Sequence, residues 1–160
     1  MTNTLLQTLK DQSATERLAE QLAEVVSAGN IVSLSGDLGA GKSTFARAFI
    51  RAAAMDIELD VPSPTFTLVQ SYDHADGTTI YHTDLYRLEN EDDVYDLGME
   101  EERDSAIFLV EWPDRLPDDW RSGALELSFA IDEQELGRRQ LTVSWTEPEW
   151  AEKLRAIFDL

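Results

Sequence analysis

The sequence contains no cysteine, which excludes a disulfide framework, thiol catalysis and cysteine-ligated zinc. Histidine is nearly as scarce, since His74 and His82 are the only two imidazoles and make a poor metal site. Basic residues are few as well: 13 lysines and arginines face 32 aspartates and glutamates, for a net charge of −19. This charge opposes direct binding to nucleic acid or anionic lipid, because like charges repel.

Long hydrophobic runs are also absent, and none approaches the roughly 20 residues that a membrane helix needs. The first ten residues show no basic region followed by an apolar stretch, so no secretory signal is expected. A chain of 160 residues with 42% apolar residues is long enough for one core, and we expect a single domain over residues 1–160. The composition predicts a soluble, cytoplasmic protein without membrane contact.

The first third of the chain shows the pattern of strand, glycine loop and helix. Before it, the capping-box spacing of Ser13 and Glu16 predicts a helix that starts there and stops near Gly29. The short β-type segment 31–35 then predicts a strand, and a second helix is expected to begin near Lys42. This arrangement is typical of the first half of a parallel βαβ unit.

The remaining two thirds predict further strands and one unusual acidic stretch. Strands are expected at 66–72 and 78–82, around a turn at 75–77, and at 106–110. An antiparallel pair is expected at 124–131 and 138–145, with a closing helix over 150–158. Residues 89–104 hold nine acids and one arginine, which is typical of a solvated helical face or of a docking surface for a basic partner.

Residues 36–43 read Gly-Asp-Leu-Gly-Ala-Gly-Lys-Ser and match the phosphate-binding pattern G-x-x-x-x-G-K-[ST]. The glycines let successive backbone N–H groups converge on phosphate oxygens, and the following helix directs its positive dipole end at the same place. Lys42 supplies positive charge to the β- and γ-phosphates, and Ser43 offers a hydroxyl to Mg²⁺. We therefore predict a nucleotide site in an α/β fold: a P-loop NTPase-like mixed, mainly parallel sheet flanked by helices, with added antiparallel strands.

A phosphate loop needs an acidic partner at the end of another strand to help hold Mg²⁺. Glu111 follows the apolar run 107–110 and Asp84 follows the run 79–81, and spacing alone does not choose between them. Each is equally typical of a solvated acid at a strand end. Thr65, after Pro64, is a candidate switch residue or simply part of a strand entry. His82 is interpreted as a structural or surface histidine, and a base or ligand role is the alternative.

Four sequence blocks, in order, resemble the bacterial TsaE (YjeE) family of tRNA threonylcarbamoyladenosine biosynthesis proteins. The blocks are GDLGAGKST at 36–44, SPTFTL at 63–68, YHTDLYRL at 81–88 and LVEWPDR at 109–115, within a resemblance spanning about residues 13–143. The resemblance implies a small P-loop ATPase that binds ATP or ADP and Mg²⁺. It further implies support for threonylcarbamoyl transfer to an adenosine of tRNA, by docking on the TsaD–TsaB complex and resetting it.

The resemblance also implies roles for individual residues. The ATP phosphates would be held by the loop residues Asp37, Leu38, Gly39, Ala40, Gly41, Lys42, Ser43 and Thr44. Ser43 and Glu111 would hold Mg²⁺, and Trp112 would lie beside the site. Lys42, Asp84 and Thr65 would act in catalysis, with Asp84 near the γ-phosphate and Thr65 in the switch segment.

The isolated protein is expected to be a monomer and a slow ATPase that its partner stimulates, without strong direct binding to tRNA. Arg87, Arg115 and Arg138 are candidate arginine fingers, and the regions near Thr15 and Arg138 are candidate adenine contacts.

Two other functions stay as alternatives. A small-molecule P-loop kinase would need an acceptor pocket and usually an arginine-rich lid, which so few basic residues do not suggest. A nucleotide-dependent interaction module would need binding without hydrolysis. A GTPase is disfavoured because the guanine-reading pattern N-K-x-D is absent.

Overall fold

A single seven-stranded sheet organises the fold in a computed structural model that describes residues 1–160. The strand order is β1-β7-β6-β2-β5-β4-β3, in which β6, β2, β5 and β4 run parallel and the outer strands run antiparallel to their neighbours. This confirms the predicted mixed, mainly parallel sheet. The strands are β1 Asn3–Leu9, β2 Ile31–Gly36, β3 Val69–Asp73, β4 Thr79–Asp84, β5 Ile107–Glu111, β6 Leu125–Ile131 and β7 Arg139–Trp145.

Helices cover the two faces of the sheet and bury a core against each face. They are α1 Gln12–Val25, α2 Lys42–Ala54, α3 Asp92–Tyr95, α4 Asp118–Gly123 and α5 Pro148–Leu154. The larger core joins α1, α2 and α5 to the sheet, with Phe45, Phe49 and Trp150 fully buried. The smaller core lies on the opposite face, where Trp120 of α4 packs edge-on against Phe108 of β5. None of these helices combines the length and the apolar character that crossing a membrane requires.

The antiparallel pair near the end of the chain is confirmed, and so is the predicted succession of strand, glycine loop and helix, which is β2, its loop and α2. The strand that follows α2, however, is not a parallel neighbour of β2. Helix α2 leads into β3, which lies at the far edge of the sheet and runs antiparallel to β4. The parallel neighbours of β2 are instead β5 and β6, which come much later in the chain. The predictions also omitted β1, because its sequence does not alternate cleanly and its side chains are mostly exposed.

Several predicted boundaries shift for local reasons. The first helix is capped by Asp11 rather than Ser13, since its side chain accepts the Ala14 N–H at 2.8 Å. That helix ends at Val25, short of Gly29, and the last helix ends at Leu154 rather than 158. Strand β3 begins at Val69, three residues after the predicted start at 66. The reason is that Leu68 has a left-handed φ of 69° and donates its N–H to the Pro64 carbonyl, which closes a turn.

The acidic stretch 89–104 does not form one solvated helical face. It folds into the single turn of α3 and a 3-10 turn at Glu100–Glu102, separated by Gly98 with φ of 76°. Val94 and Met99 from this stretch are buried in the smaller core. The apolar anchors hold the segment on the sheet while its carboxylates stay in solvent.

Candidate nucleotide site

A cavity of about 410 Å³ opens at the carboxyl ends of the parallel strands. In open α/β sheets this edge is where ligands bind, because the loops that leave the strands converge there. Its walls come from five segments: the loop between β2 and α2, the ends of β4 and β5, the segment before β3, the β1–α1 junction and the β6–β7 hairpin. The lining residues include Lys10, Thr15, Gly39, Gly41, Lys42, Ser43, Thr65, Asp84, Glu111, Trp112 and Arg139.

The loop between β2 and α2 is shaped by glycines with positive φ. Gly36 ends β2 at φ 136° and passes so close to β6 that a Cβ there would lie 2.4 Å from the Phe129 carbonyl oxygen. Gly41 precedes the first turn of α2 at φ 117°. Glycine is needed at both positions, since other residues rarely adopt these angles. The loop therefore delivers the N-terminus of α2 to the cavity, as its sequence pattern predicts.

Lys42 is held within the loop rather than extended into solvent. Only 7% of the residue is exposed, and its Nζ donates a hydrogen bond to the Gly36 carbonyl. The same Nζ lies 4.0 Å from the centroid of the Trp112 ring, in a cation–π contact. A positive charge is thus fixed between the loop and the strand end that carries Glu111.

The eight loop residues predicted to bind phosphate do not all reach the cavity. Leu38, Gly39, Gly41, Lys42, Ser43 and Thr44 line it. Ala40 is fully buried behind the loop, and Asp37 lies outside the lining, where its carbonyl accepts the Ala40 N–H at 3.0 Å. These two residues stabilise the turn instead of facing the cavity.

Both candidate acids line the cavity. The spacing in the sequence did not choose between them, and the structure places them side by side. Asp84 and Glu111 are direct partners in the register of β4 and β5, at the last residue of each strand. They are 4% and 5% exposed. His82 supports this pair from within the sheet, since its Nε2 lies 2.7 Å from Oε2 of Glu111. The histidine is buried rather than at the surface, and its hydrogen bond is with one of the acids.

The segment before β3 is tied to Asp84. The Thr65 hydroxyl donates to Oδ2 of Asp84 at 3.1 Å, and the Tyr86 N–H donates to Oδ1 at 2.9 Å. Ser63 and Thr65 share a further hydroxyl–hydroxyl bond of 2.7 Å. A change at Asp84 would therefore reach the segment that carries Thr65.

The donor set of the cavity suits a hard cation. Ser43 contributes a hydroxyl, and Asp84 and Glu111 contribute carboxylates, which are the oxygen ligands that Mg²⁺ prefers. Three acidic or histidine side chains placed to hold a metal together are not found. Mg²⁺ in nucleotide sites commonly completes its shell with phosphate oxygens and waters, so this sparse set fits it.

The hairpin between β6 and β7 forms the wall opposite the acids. Asp132 at its base accepts hydrogen bonds from Arg138 Nε at 2.6 Å and Gln140 Nε2 at 2.8 Å. The pKa of the Asp132 carboxyl is held well below its ordinary value, first by the hydrogen bond from Arg138. The bonds from Gln140 and from the Gln134 N–H lower it further. The pairing with Asp132 raises the pKa of Arg138. The hairpin is therefore braced internally beside the cavity.

Comparison with known proteins identifies the family. The family model described as "Threonylcarbamoyl adenosine biosynthesis protein TsaE" matches residues 9–141. The chain belongs to the TsaE family. A TsaE protein of Rickettsia conorii is 42% identical over 107 residues, covering 67% of this chain and 60% of the relative. The Bacillus subtilis TsaE protein is 41% identical over 100 residues, covering 61% of this chain and 60% of the relative.

The match thus spans about 60% of the length of these curated TsaE relatives. The crystal structure of Bacillus subtilis YdiB superposes with a TM-score of 0.74 at 24% identity, covering 97% of this chain and 94% of that one. At this identity the superposition supports the fold. The matched family region, 9–141, includes the phosphate loop, Thr65, Asp84 and Glu111.

In this TsaE-family chain, the sequence predictions missed the basic residues on the far wall. Arg139 lines the cavity, whereas the proposed Arg138 is turned to Asp132 and Glu135 in the hairpin. Lys10, at the β1–α1 junction, also lines it, as does the predicted Thr15. The other finger candidates lie outside the lining: Arg87 stacks over Phe66 and Arg115 donates to the Leu88 carbonyl. Successive side chains of a strand point to opposite faces of the sheet. This alternation at the start of β7 was the signal in the sequence that could have distinguished Arg139 from Arg138.

Proposed function

We propose that this TsaE-family chain binds ATP with Mg²⁺ in the cavity and hydrolyses it in support of tRNA threonylcarbamoyladenosine formation. The observation that carries the proposal is the convergence of Lys42 and Ser43 with Asp84 and Glu111 at one strand edge. A glycine turn without function would not need two aligned, buried carboxylates beside it. Acidic side chains are normally exposed, and of the 32 acids in this chain Asp84 and Glu111 are the ones that are buried. Their burial supports a role for both.

The residues divide the work of phosphoryl transfer to water. Lys42 moves from the Gly36 carbonyl to the β- and γ-phosphate oxygens, which are better acceptors because they carry charge. Ser43 and Glu111 would hold Mg²⁺, which would neutralise negative charge on the phosphates. Asp84 orders the attacking water, whose oxygen bonds to the γ-phosphorus as the bond to the β–γ bridging oxygen breaks. The products are ADP and phosphate.

Thr65 links this chemistry to the surface of the protein. Its hydroxyl bonds Asp84, so the presence or loss of the γ-phosphate beside Asp84 alters the position of the segment before β3. Phe66, the next residue in the chain, is 83% exposed. Its side chain can contact a partner, and that contact would change when the segment moves. This is the arrangement of a nucleotide-controlled contact.

We propose the TsaD–TsaB complex as that partner. Arg87, Arg115 and Arg138 contact the Phe66 ring, the Leu88 carbonyl and Asp132, and none of the three lines the cavity. This supports a site that the partner completes. The acidic stretch 89–104 would meet basic residues of the complex, so binding should weaken as salt screens the charges. Affinity that stays the same from low to high ionic strength would refute the electrostatic contact.

The decisive experiment is steady-state ATP hydrolysis with Mg²⁺, with and without purified TsaD–TsaB from the same source. We expect slow turnover alone and stimulation by the complex, both lost in Lys42→Ala and kept in Arg155→Ala. Arg155→Ala is a matched control because it also removes one positive charge. Arg155 directly follows α5 and forms an exposed ion pair with Glu152 of that helix. Rapid turnover without the complex, or phosphorylation of an added metabolite, would refute the proposal and favour a kinase.

A further inference from the structure

Arg139 makes an unusual contact for a cavity-lining arginine, because it bonds the backbone of the phosphate loop. Its Nε donates to the Ala40 carbonyl and its Nη2 to the Gly39 carbonyl, both at 3.1 Å. It forms no ion pair, while its neighbour Arg138 pairs with Asp132 and Glu135. Its guanidinium is therefore used on two neutral oxygens, although the chain is rich in carboxylates.

The strand that carries Arg139 is firmly placed. Within the antiparallel ladders, Arg139 pairs with Leu9 of β1 on one side and with Ile131 of β6 on the other. Its Nη1 also donates to the carbonyl of Arg138 at 3.1 Å. The backbone of Arg139 is thus fixed between two strands, and its guanidinium is planar. The side chain can therefore hold the loop that it contacts in one position.

The two bonded carbonyls matter because of the N–H groups on the same peptide units. In a trans peptide the C=O and the N–H point in opposite directions. The peptide joining Gly39 to Ala40 uses its N–H to close the turn onto the Asp37 carbonyl. The peptide joining Ala40 to Gly41 leaves the Gly41 N–H facing away from the guanidinium, without a backbone partner, and Gly41 lines the cavity.

A flipped Ala40–Gly41 peptide would break the hydrogen bond from Arg139 Nε to the Ala40 carbonyl. Gly41 has a φ of 117° and no Cβ, so its backbone can adopt angles that other residues rarely reach. Rotation of the Ala40–Gly41 peptide would turn the carbonyl oxygen towards the phosphates and the N–H away. Such a flip replaces a donor by an acceptor beside an anion and would weaken binding.

We propose that Arg139 is a positioning residue of the phosphate loop. By holding the Gly39 and Ala40 carbonyls on the outer side, it keeps the Gly41 N–H available to a phosphate oxygen. It acts from a strand more than ninety positions away in sequence, beyond the loop's own motif. The inference rests on the proposed nucleotide binding and adds a residue that the motif does not contain.

The test measures displacement of a fluorescent ADP analogue by ADP and by inorganic pyrophosphate. The variants are Arg139→Met, which keeps the aliphatic stem, Arg139→Lys, and the control Arg155→Met. Since hydrogen bonds from a charged donor are lost, we expect Arg139→Met to weaken both competitors by the same factor, about 10-fold or more. Arg139→Lys should recover part of the loss, because an ammonium can still donate to one carbonyl, and Arg155→Met should match the wild type.

Each other result has a definite meaning. Unchanged affinities in Arg139→Met would overturn the inference while leaving nucleotide binding intact. A loss for ADP but not for pyrophosphate would also overturn it, since Arg139 would then serve the nucleoside directly. Failure of the wild type to bind either competitor would overturn the proposed function as well. If Arg139→Met does not fold by circular dichroism, Arg139→Lys carries the test, with a smaller equal loss for both competitors expected.

Discussion

The Nε2 atom of His82 lies 2.7 Å from Oε2 of Glu111, and this hydrogen bond is buried within the sheet beneath the cavity. The Nδ1 atom of His82 has no hydrogen-bond partner, so the imidazole makes this one polar contact. The bond occupies one carboxylate oxygen and leaves Oε1 of Glu111 without a hydrogen bond. The orientation of Glu111 is therefore set by a neighbouring strand rather than by its own.

His82→Phe should destabilise the protein and disturb Glu111. Loss of the donor leaves a buried carboxylate unpaired, at a cost of about 1–3 kcal/mol in the free energy of unfolding. Urea denaturation measures this cost, and the Mg²⁺ concentration needed for half-maximal ATP hydrolysis should rise. His82→Gln, which keeps an N–H donor, should retain more of both properties. Equal behaviour of the two variants would contradict a positioning contact.

Glu111→Gln and Asp84→Asn should separate hydrolysis from nucleotide binding. Each replacement keeps the shape of the side chain but removes the charge that the proposed mechanism uses, so turnover stimulated by TsaD–TsaB should fall at least about 10-fold. ADP affinity should change much less, because Lys42 and the loop remain. Glu133→Gln, at an exposed hairpin carboxylate, is the matched control. Near-normal turnover in either site variant would remove that residue from the mechanism.

Gly36→Ala should be strongly destabilising. The new Cβ would lie 2.4 Å from the Phe129 carbonyl oxygen, at a φ of 136° that alanine rarely adopts. Gly77→Ala isolates the second effect, since its φ is 92° but nothing lies within 4 Å of the added carbon. We expect Gly77→Ala to cost about 1–2 kcal/mol and Gly36→Ala clearly more, by urea denaturation. Equal costs would mean that β6 yields to the added methyl group.

The hairpin beside the cavity should lose stability in acid. Bonds from Arg138, Gln140 and Gln134 lower the pKa of Asp132 below its ordinary value of 3.8. A carboxyl whose pKa is lower in the folded state binds fewer protons there than in the unfolded state. Its contribution is therefore complete above pH 3.8 and declines as the pH falls below that value.

Asp132→Asn should therefore show a shallower loss of stability with falling pH than the wild type. The measurement is the denaturation midpoint from about pH 6 down to pH 3, a range that includes the onset of protonation in the unfolded state. Glu133→Gln removes an equal charge from the adjacent exposed position and serves as the control. Parallel curves for Asp132→Asn and the wild type would contradict the linkage.

Much of the site was readable from the sequence because its elements are local. The pattern from Gly36 to Ser43 carries its own turn chemistry, so the loop and the start of α2 at Lys42 were predicted correctly. The apolar run before Glu111 likewise predicted a buried strand, and the composition excluded cysteine chemistry outright. Short-range periodicity and backbone constraints act over a few residues and need no knowledge of the rest of the chain.

Tertiary structure decided which distant residues meet. Register across β4 and β5 aligned Asp84 with Glu111 and placed His82 against the same carboxylate, while strand order brought Arg139 of β7 to the loop after β2. It also moved β3 to the edge and broke the acidic stretch around Val94 and Met99. Sheet order and register follow from how all buried faces fit together, a balance over the whole core that no local pattern contains.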